Sequence, residues 1–426
     1  MIWEISPGNA LTGSIAVPGS KSHTVRAVIA ALLANGTSEI IAPLYSADTR
    51  SALNAVRQLG AQVKETPELW EICGCGKNFN TAVPVIDLGN SGTTMRIITA
   101  VAALGKQKIT FDGDASLRTR IMAGELESLS NLGAICNSSN GFAPLSVYGP
   151  LTGGRSKVDG TTSQYLTALL MSLPLADGNS VLELDFLNES DYVRITLDWL
   201  ERCGIKVDIS SDLLHCQITG NQKYQPFTRV IPADFSTAAF PLGAGVIAGK
   251  ELQILNLDFT DLQGDKRVFE YISAMGGNIV HTQDKVTVCA SRLTGKTFDL
   301  NATPDALPLM AVTGCYASGE TALINVPQAR LKECDRISAM CKELRKMGAD
   351  ITELPDGMII RGGKQLTGCE VESYHDHRIA MALSVAALGA SGKTRIKDAE
   401  CCEVTYPEFL ADFRKLGMQI EVLENK

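Results

Sequence analysis

Residues 53–60 read LNAVRQLG, with the apolar Leu53, Val56 and Leu59 three residues apart and a glycine directly behind them. Side chains at that spacing share one helical face. Gly60 leads into the strand-like Ala61 to Val63, so the stretch predicts a helix closed by a left-handed glycine and followed by a strand. The same word occurs five more times, ending on Gly133, Gly204, Gly276, Gly348 and Gly417 at successive spacings of 73, 71, 72, 72 and 69 residues. Its apolar triplets are Leu126/Leu129/Leu132, Leu197/Leu200/Cys203, Phe269/Ile272/Met275, Cys341/Leu344/Met347 and Leu410/Phe413/Leu416.

A second helix recurs in the same register, rich in Ala and other small apolar residues and followed by Gly36, Gly105, Gly178, Gly249, Gly319 or Gly392. These segments (27–34, 95–104, 166–175, 237–248, 306–317 and 379–390) lack a polar face and are predicted to be buried. One repeat of about 70 residues cannot bury such a helix on all sides, whereas three repeats wrap it. The reading is therefore an α/β chain of two pseudo-threefold domains, with small-residue helices inside and sheets and amphipathic helices outside.

The 426 residues, 45% of them hydrophobic and 20% charged, suit two soluble domains. A formal charge of −8 argues against a large nucleic-acid face, which needs clustered Lys and Arg. Twelve cysteines are scattered without a CxxC pair, and Cys73/Cys75 and Cys401/Cys402 have no partners at metal spacing. Reduced thiols and no metal site are expected. No basic stretch precedes an apolar core at the N-terminus, and no run nears 18 apolar residues, so the expectation is a cytoplasmic protein without a membrane span.

Helix N-termini attract anions through unpaired N–H groups and the helix dipole. The residues ahead of the six small-residue helices are all polar: PGSKSHTVR (18–26), LGNSGTTMR (88–96), DGTTSQY (159–165), PADFSTAA (232–239), NATPDA (301–306) and ESYHDHR (372–378). The first pairs Ser20 and Ser22 with Lys21 and Arg26, which suits a phosphate or carboxylate although the Walker A spacing is absent. The second is a glycine-spaced turn with Arg96 one turn in, and the third offers Thr161, Thr162, Ser163 and Gln164 in a row, where one hydroxyl would cap the helix. The last gathers His375, Asp376, His377 and Arg378. Starts of the other helix type add Arg118 and Arg120, the run 265–267, and Lys332, Glu333, Asp335 and Arg336, with Lys332 and Arg336 at i and i+4 on one face.

PGSKS, LGNSGTTMR, the pair Ser163/Gln164, LKECDR (331–336) and YHDHR (374–378) together resemble the 5-enolpyruvylshikimate-3-phosphate synthase family, almost end to end. That resemblance implies two inside-out, barrel-like α/β domains, each a threefold βαβαββ repeat, covering 21–230 and 1–20 plus 231–426, with the active site in the cleft between them. It implies transfer of the enolpyruvyl group of phosphoenolpyruvate to the 5-hydroxyl of shikimate 3-phosphate through a tetrahedral ketal, with release of phosphate and without metal or cofactor. It also implies a monomer with two small-molecule substrates and no nucleic-acid or membrane partner. By matching positions, Lys21, Gly92, Arg120, Gln164, Arg336 and Arg378 would contact phosphoenolpyruvate. Lys21, Ser22, Arg26, Thr162, Ser163, Gln164, Tyr192, Asp305, Gln328 and Lys332 would contact shikimate 3-phosphate. Asp305 and Glu333 would be the acid–base carboxylates, and Lys21 would shuttle a proton.

The chain departs from the family pattern at four places. Glu189 stands where many members carry Ser, Gln328 replaces a shorter Asn, Ile121 replaces a proline, and Val404 replaces a lysine. A carboxylate beside the acceptor's phosphate would repel it. Glu189 and Gln328 therefore keep open an enolpyruvyl transferase for a different phosphorylated or carboxylated alcohol; a separate alternative, a non-catalytic anion-binding paralogue, is opposed by the retention of Lys21, Asp305, Glu333, Arg336 and Arg378. The sister UDP-N-acetylglucosamine transferases need a cysteine that the corresponding stretch, 114–121, lacks. The related RNA 3′-phosphate cyclases fit an acidic chain poorly.

Overall fold

Among the described residues six helices are buried along nearly their whole length, and that burial organises everything else. The computed structural model describes residues 1–8, 10–282 and 285–424. Twelve α-helices lie among the described residues: α1 (Lys21–Leu33), α2 (Ala47–Gln58), α3 (Gly92–Ala102), α4 (Ala123–Asn131), α5 (Ser163–Ser172), α6 (Ser190–Arg202), α7 (Phe235–Ala248), α8 (Arg267–Ala274), α9 (Leu307–Tyr316), α10 (Arg336–Lys346), α11 (His377–Leu388) and α12 (Phe409–Lys415). The odd-numbered helices are the small-residue ones. All of α11 is buried, and α3 and α5 are buried except at Thr93 and Gln164.

The even-numbered helices are amphipathic and end alike. Gly60, Gly133, Gly204, Gly276, Gly348 and Gly417 all have φ between 77° and 113°. Each donates its N–H to the residue three back, and the next residue donates five back, as Gly60 does to Arg57 and Ala61 to Val56. That is the Schellman pattern, so the glycines were legible as caps, and a strand follows each one.

Among the described residues the strands form six four-stranded sheets of one plan. In the second repeat Ile86–Asp87 lies parallel to Ile109–Asp112, which pairs antiparallel with Phe142–Tyr148, itself antiparallel to Ile135–Ser139. With α3 and α4 between the first three strands, this is a βαβαββ unit. The chain divides into two compact units, one of Met1–Pro18 with Pro232–Lys426 and one of Gly19–Ile231. Each has its own hydrophobic core.

In the unit 19–231, α3 packs on α1 and on α5, and Thr228–Val230 closes the first sheet by pairing parallel with Thr37–Ile41. In the other unit α7, α9 and α11 pack on one another. There Leu11–Ala16 runs parallel to Gly249–Leu255, and Ile2–Ser6 lies antiparallel between Thr394–Lys397 and Gln419–Leu423. No helix among the described residues is long and apolar enough to cross a membrane.

The six cap glycines are not equivalent. A Cβ added at Gly348 (φ 94°) meets nothing within 4 Å, whereas at Gly133 (φ 104°) it would lie 2.5 Å from Thr152 Oγ1. Gly348→Ala should therefore cost about 1 kcal/mol from backbone conformation alone. Gly133→Ala, which also displaces Thr152 from the carbonyl of Leu132, should cost roughly twice that. Urea-unfolding midpoints of the two variants test the order.

Candidate active site

A helix buried along its length must find acceptors for its first N–H groups. Ser20 accepts from the N–H of His23 at the start of α1, Thr162 from Gln164 at α5, Asp234 from Thr237 at α7 and Asp376 from Arg378 at α11. Side-chain bonds between these helices show that their starts lie at one end of each unit. The guanidinium of Arg26 on α1 donates to Thr167 on α5, and that of Arg96 on α3 donates to Gln164 at 2.8 Å. In the other unit Arg378 of α11 donates to Ser236 of α7 at 2.9 Å and pairs with Asp305, just ahead of α9, at 2.8 Å.

Within 19–231 the expected residues fall into three groups. Lys21 pairs with the buried Asp48 at 3.2 Å. Arg26 is buried and spends its donors on the protein: Thr196 Oγ1 at 2.9 Å, the Ser22 carbonyl at 3.0 Å, the Tyr192 carbonyl at 3.1 Å and Thr167 Oγ1 at 3.4 Å. Burial pushes its pKa down to about 10. It ties α1, α5 and the first turn of α6 together, with Ser22 and Tyr192 engaged through backbone oxygens.

The second group surrounds Gly92. A Cβ there would lie 2.7 Å from a terminal nitrogen of Arg120 and 2.9 Å from one of Arg96, so only glycine lets the backbone meet both guanidinium groups. Arg120 is held by Asn90 and by Ser116 Oγ, the latter at 3.2 Å. Gln164 bridges Arg96 to Thr93 Oγ1. Arg118 is turned away onto Asp112 at 2.8 Å. The third group is Thr162 and Ser163, whose hydroxyls donate to Glu189 Oε2 at 3.3 and 2.9 Å.

In the other unit the side chains converge on Arg336, which is buried. It donates to Asp376 and Asp305 at 2.7 Å each and to Glu333 at 2.6 Å. Burial works against its charge, but the attraction of Asp376, Glu333 and Asp305 outweighs burial and holds its pKa well above the usual value. Asp305 is gripped on its other oxygen by Arg378. Among the described residues no group of three or more His, Cys, Asp and Glu side chains is set as metal ligands; three carboxylates meet a guanidinium instead.

Several sequence expectations change. Lys332 and Arg336 do not share a helical face, because Lys332 has a ψ of −149° after a short 3₁₀ turn and Asp335 starts α10 afresh by accepting from Ser338 N–H. His375 leaves the titratable cluster: Tyr374 and His375 both take positive φ, and the imidazole, 74% exposed, lies 3.9 Å from Asp398. Gln328 is buried, with its amide donating to the Asn301 carbonyl at 2.8 Å. Asp376, read in the sequence as part of the last helix-start cluster, joins the site by accepting from Arg336, and Asn90, Thr93 and Ser236, all within the polar helix-start segments, join it as partners of Arg120, Gln164 and Arg378.

Two units of repeated βαβαββ modules, with basic and hydroxyl side chains at buried helix starts and carboxylates locked onto arginines, define an enzyme for anionic substrates. The model of the EPSP synthase (3-phosphoshikimate 1-carboxyvinyltransferase) family matches residues 5–413, and the chain belongs to that family. It is 45% identical over 415 residues to the 3-phosphoshikimate 1-carboxyvinyltransferase of Acetivibrio thermocellus, covering 97% of this chain and 98% of the relative. It is 40% identical over 419 residues to that of Methanocaldococcus jannaschii, covering 97% of each. The structure of EPSP synthase from Acinetobacter baumannii superposes with a TM-score of 0.84 at 27% identity, over 99% of this chain and 100% of the other. The resemblance read from the helix-start motifs is borne out.

Glu125, on α4, is fully buried, and neither of its carboxyl oxygens has a hydrogen-bond partner among the described residues. Burial outweighs the attraction of Arg96 and raises its pKa well above 4.5. The folded protein thus keeps a proton that the unfolded chain releases above pH 4.5. The stability this gives is complete below that pH and is lost as pH rises towards the folded value. Glu125→Gln should be more stable than the parent by roughly 1 kcal/mol at pH 8, with the gap closing towards pH 5; melting temperatures across that range test the slope.

Proposed function

We propose that this enzyme transfers the enolpyruvyl group of phosphoenolpyruvate to the 5-hydroxyl of shikimate 3-phosphate, a step of aromatic amino-acid biosynthesis. The observation that carries the proposal is the node at Arg336, where Asp305, Glu333 and Arg378 meet. Two expected acid–base carboxylates are thereby held by expected phosphoenolpyruvate arginines, Asp305 by Arg336 and Arg378 and Glu333 by Arg336. Such a node orients both carboxylates, and it offers two cations to an incoming carboxylate or phosphate.

In the proposed reaction the acceptor's hydroxyl oxygen bonds to C2 of phosphoenolpyruvate while its proton passes to a carboxylate, for which Asp305 is assigned. Glu333 supplies a proton to C3, which completes the tetrahedral ketal. The bond from C2 to the phosphate oxygen then breaks, phosphate leaves with the electron pair, and C3 returns its proton to the Glu333 carboxylate as the double bond is restored. Lys21, Gly92, Arg120, Gln164, Arg336 and Arg378 are assigned to phosphoenolpyruvate, whose developing charge they would offset. Ser22, Arg26, Thr162, Ser163, Gln164, Tyr192, Gln328 and Lys332, with Lys21 and Asp305, are assigned to the acceptor. Arg26 acts in this reading by holding α1, α5 and α6 in register, given how fully its donors are spent.

The reading takes the chain as a cytoplasmic monomer. Free thiols at all twelve cysteines favour a reducing compartment, and each unit covers its own buried helices without a second chain. Light scattering of the purified protein checks the oligomeric state.

Phosphate release on mixing the protein with both substrates is the direct test, and no release would overturn the acceptor assignment. Asp305→Ala and Glu333→Ala should each lower kcat by about a hundredfold or more while substrate binding persists. Gly92→Ala should raise the KM for phosphoenolpyruvate by about tenfold, since its methyl group displaces Arg120 and Arg96; steady-state kinetics against each substrate separates the effects.

A further inference from the structure

Glu189 occupies a costly position. It precedes α6 with φ 57° and ψ 39°, a left-handed conformation uncommon for residues other than Gly, Asn and Asp. It is 1% exposed, so its carboxylate has been taken out of water. Such positions persist only where their surroundings hold them. The side chain makes no cap bond to its own helix. It reaches instead to the start of α5, where Oε2 accepts from the Ser163 hydroxyl at 2.9 Å, the Thr162 hydroxyl at 3.3 Å and the Ser163 N–H at 3.4 Å.

Two hydroxyls and a first-turn N–H at the positive end of a buried helix are the donors that an anionic oxygen seeks. Thr162 and Ser163 are also assigned above to the acceptor, and its phosphate is the part of that molecule such donors suit. One set of hydrogens cannot serve both anions, and the two negative charges would repel at that distance. We propose that Glu189 is an internal anion that competes with the acceptor's phosphate for Thr162 and Ser163, and that it thereby sets the affinity and specificity for the acceptor. An acceptor bearing the phosphate must displace this carboxylate; one lacking it leaves Glu189 in place. This inference rests on the acceptor assignment of the preceding section.

The test compares the parent with Glu189→Gln, which removes the charge at constant shape, and with Glu189→Ser, which removes the competing group. Binding of shikimate 3-phosphate is measured by calorimetry, and steady-state kinetics are run against each substrate. Both variants should bind shikimate 3-phosphate about tenfold more tightly, with a lower acceptor KM, while the KM for phosphoenolpyruvate moves by less than about twofold. Unchanged or weaker binding in the folded variants would overturn the inference and leave Glu189 as an organiser of the α5 start. A melting curve for each variant establishes folding, and Glu189→Ser decides the matter if Glu189→Gln does not fold. Absence of parent turnover would sink the acceptor assignment instead. Tighter binding by the variants would even then uphold the role of Glu189, and its absence would overturn it.

Discussion

The start of a buried helix is where this fold is constrained most. A helix covered on all sides cannot hydrate its first N–H groups, and leaving them unpaired costs on the order of 1–3 kcal/mol each. Three such helices per unit begin at the same end, so their positive dipole ends add there. The sequence answers with Ser20, Thr162, Asp234 and Asp376 as acceptors. Polar, anion-seeking chemistry is thus an outcome of how the core is built, and the reactive residues are grafted onto positions that had to be polar.

The same constraint explains why acidic side chains stand in the anion sites. Asp48 covers Lys21, Glu189 covers Thr162 and Ser163, and Asp305, Glu333 and Asp376 cover Arg336. A buried arginine left without partners would be strongly unfavourable, so charge is balanced inside the molecule before any substrate arrives. Under the proposed assignment, substrate binding exchanges one anion for another. Affinity depends on the difference between the two partners, and that is the form in which a single carboxylate can govern selectivity.

How much of this could be read in advance depended on how local the signal was. The six caps were legible because three apolar residues and a glycine are decided within two turns of helix. The small-residue helices were legible because a helix without a polar face has nowhere to lie but inside. Lys332 was misread because a spacing of four implies a shared face only if the helix is continuous, and Asp335 restarts it. His375 was misread because two successive left-handed residues reverse the chain just before α11. The bond from Glu189 to Ser163 joins residues far apart in the chain and depends on a backbone conformation that composition does not signal.

The strands Ile2–Ser6 and Leu11–Ala16 find all their partners beyond residue 248, whereas the unit 19–231 is complete once Thr228–Val230 has been made. On a ribosome the oldest part of the chain therefore waits for the youngest. At ordinary elongation rates the longer wait lasts roughly half a minute: Leu11 and Ile15 stay unpaired until Gly249–Leu255 has been made, and Trp3 and Ile5 until the last repeat has. The middle of the protein matures first, and the N-terminal strands are the final stitch that closes the ring of sheets around α7, α9 and α11.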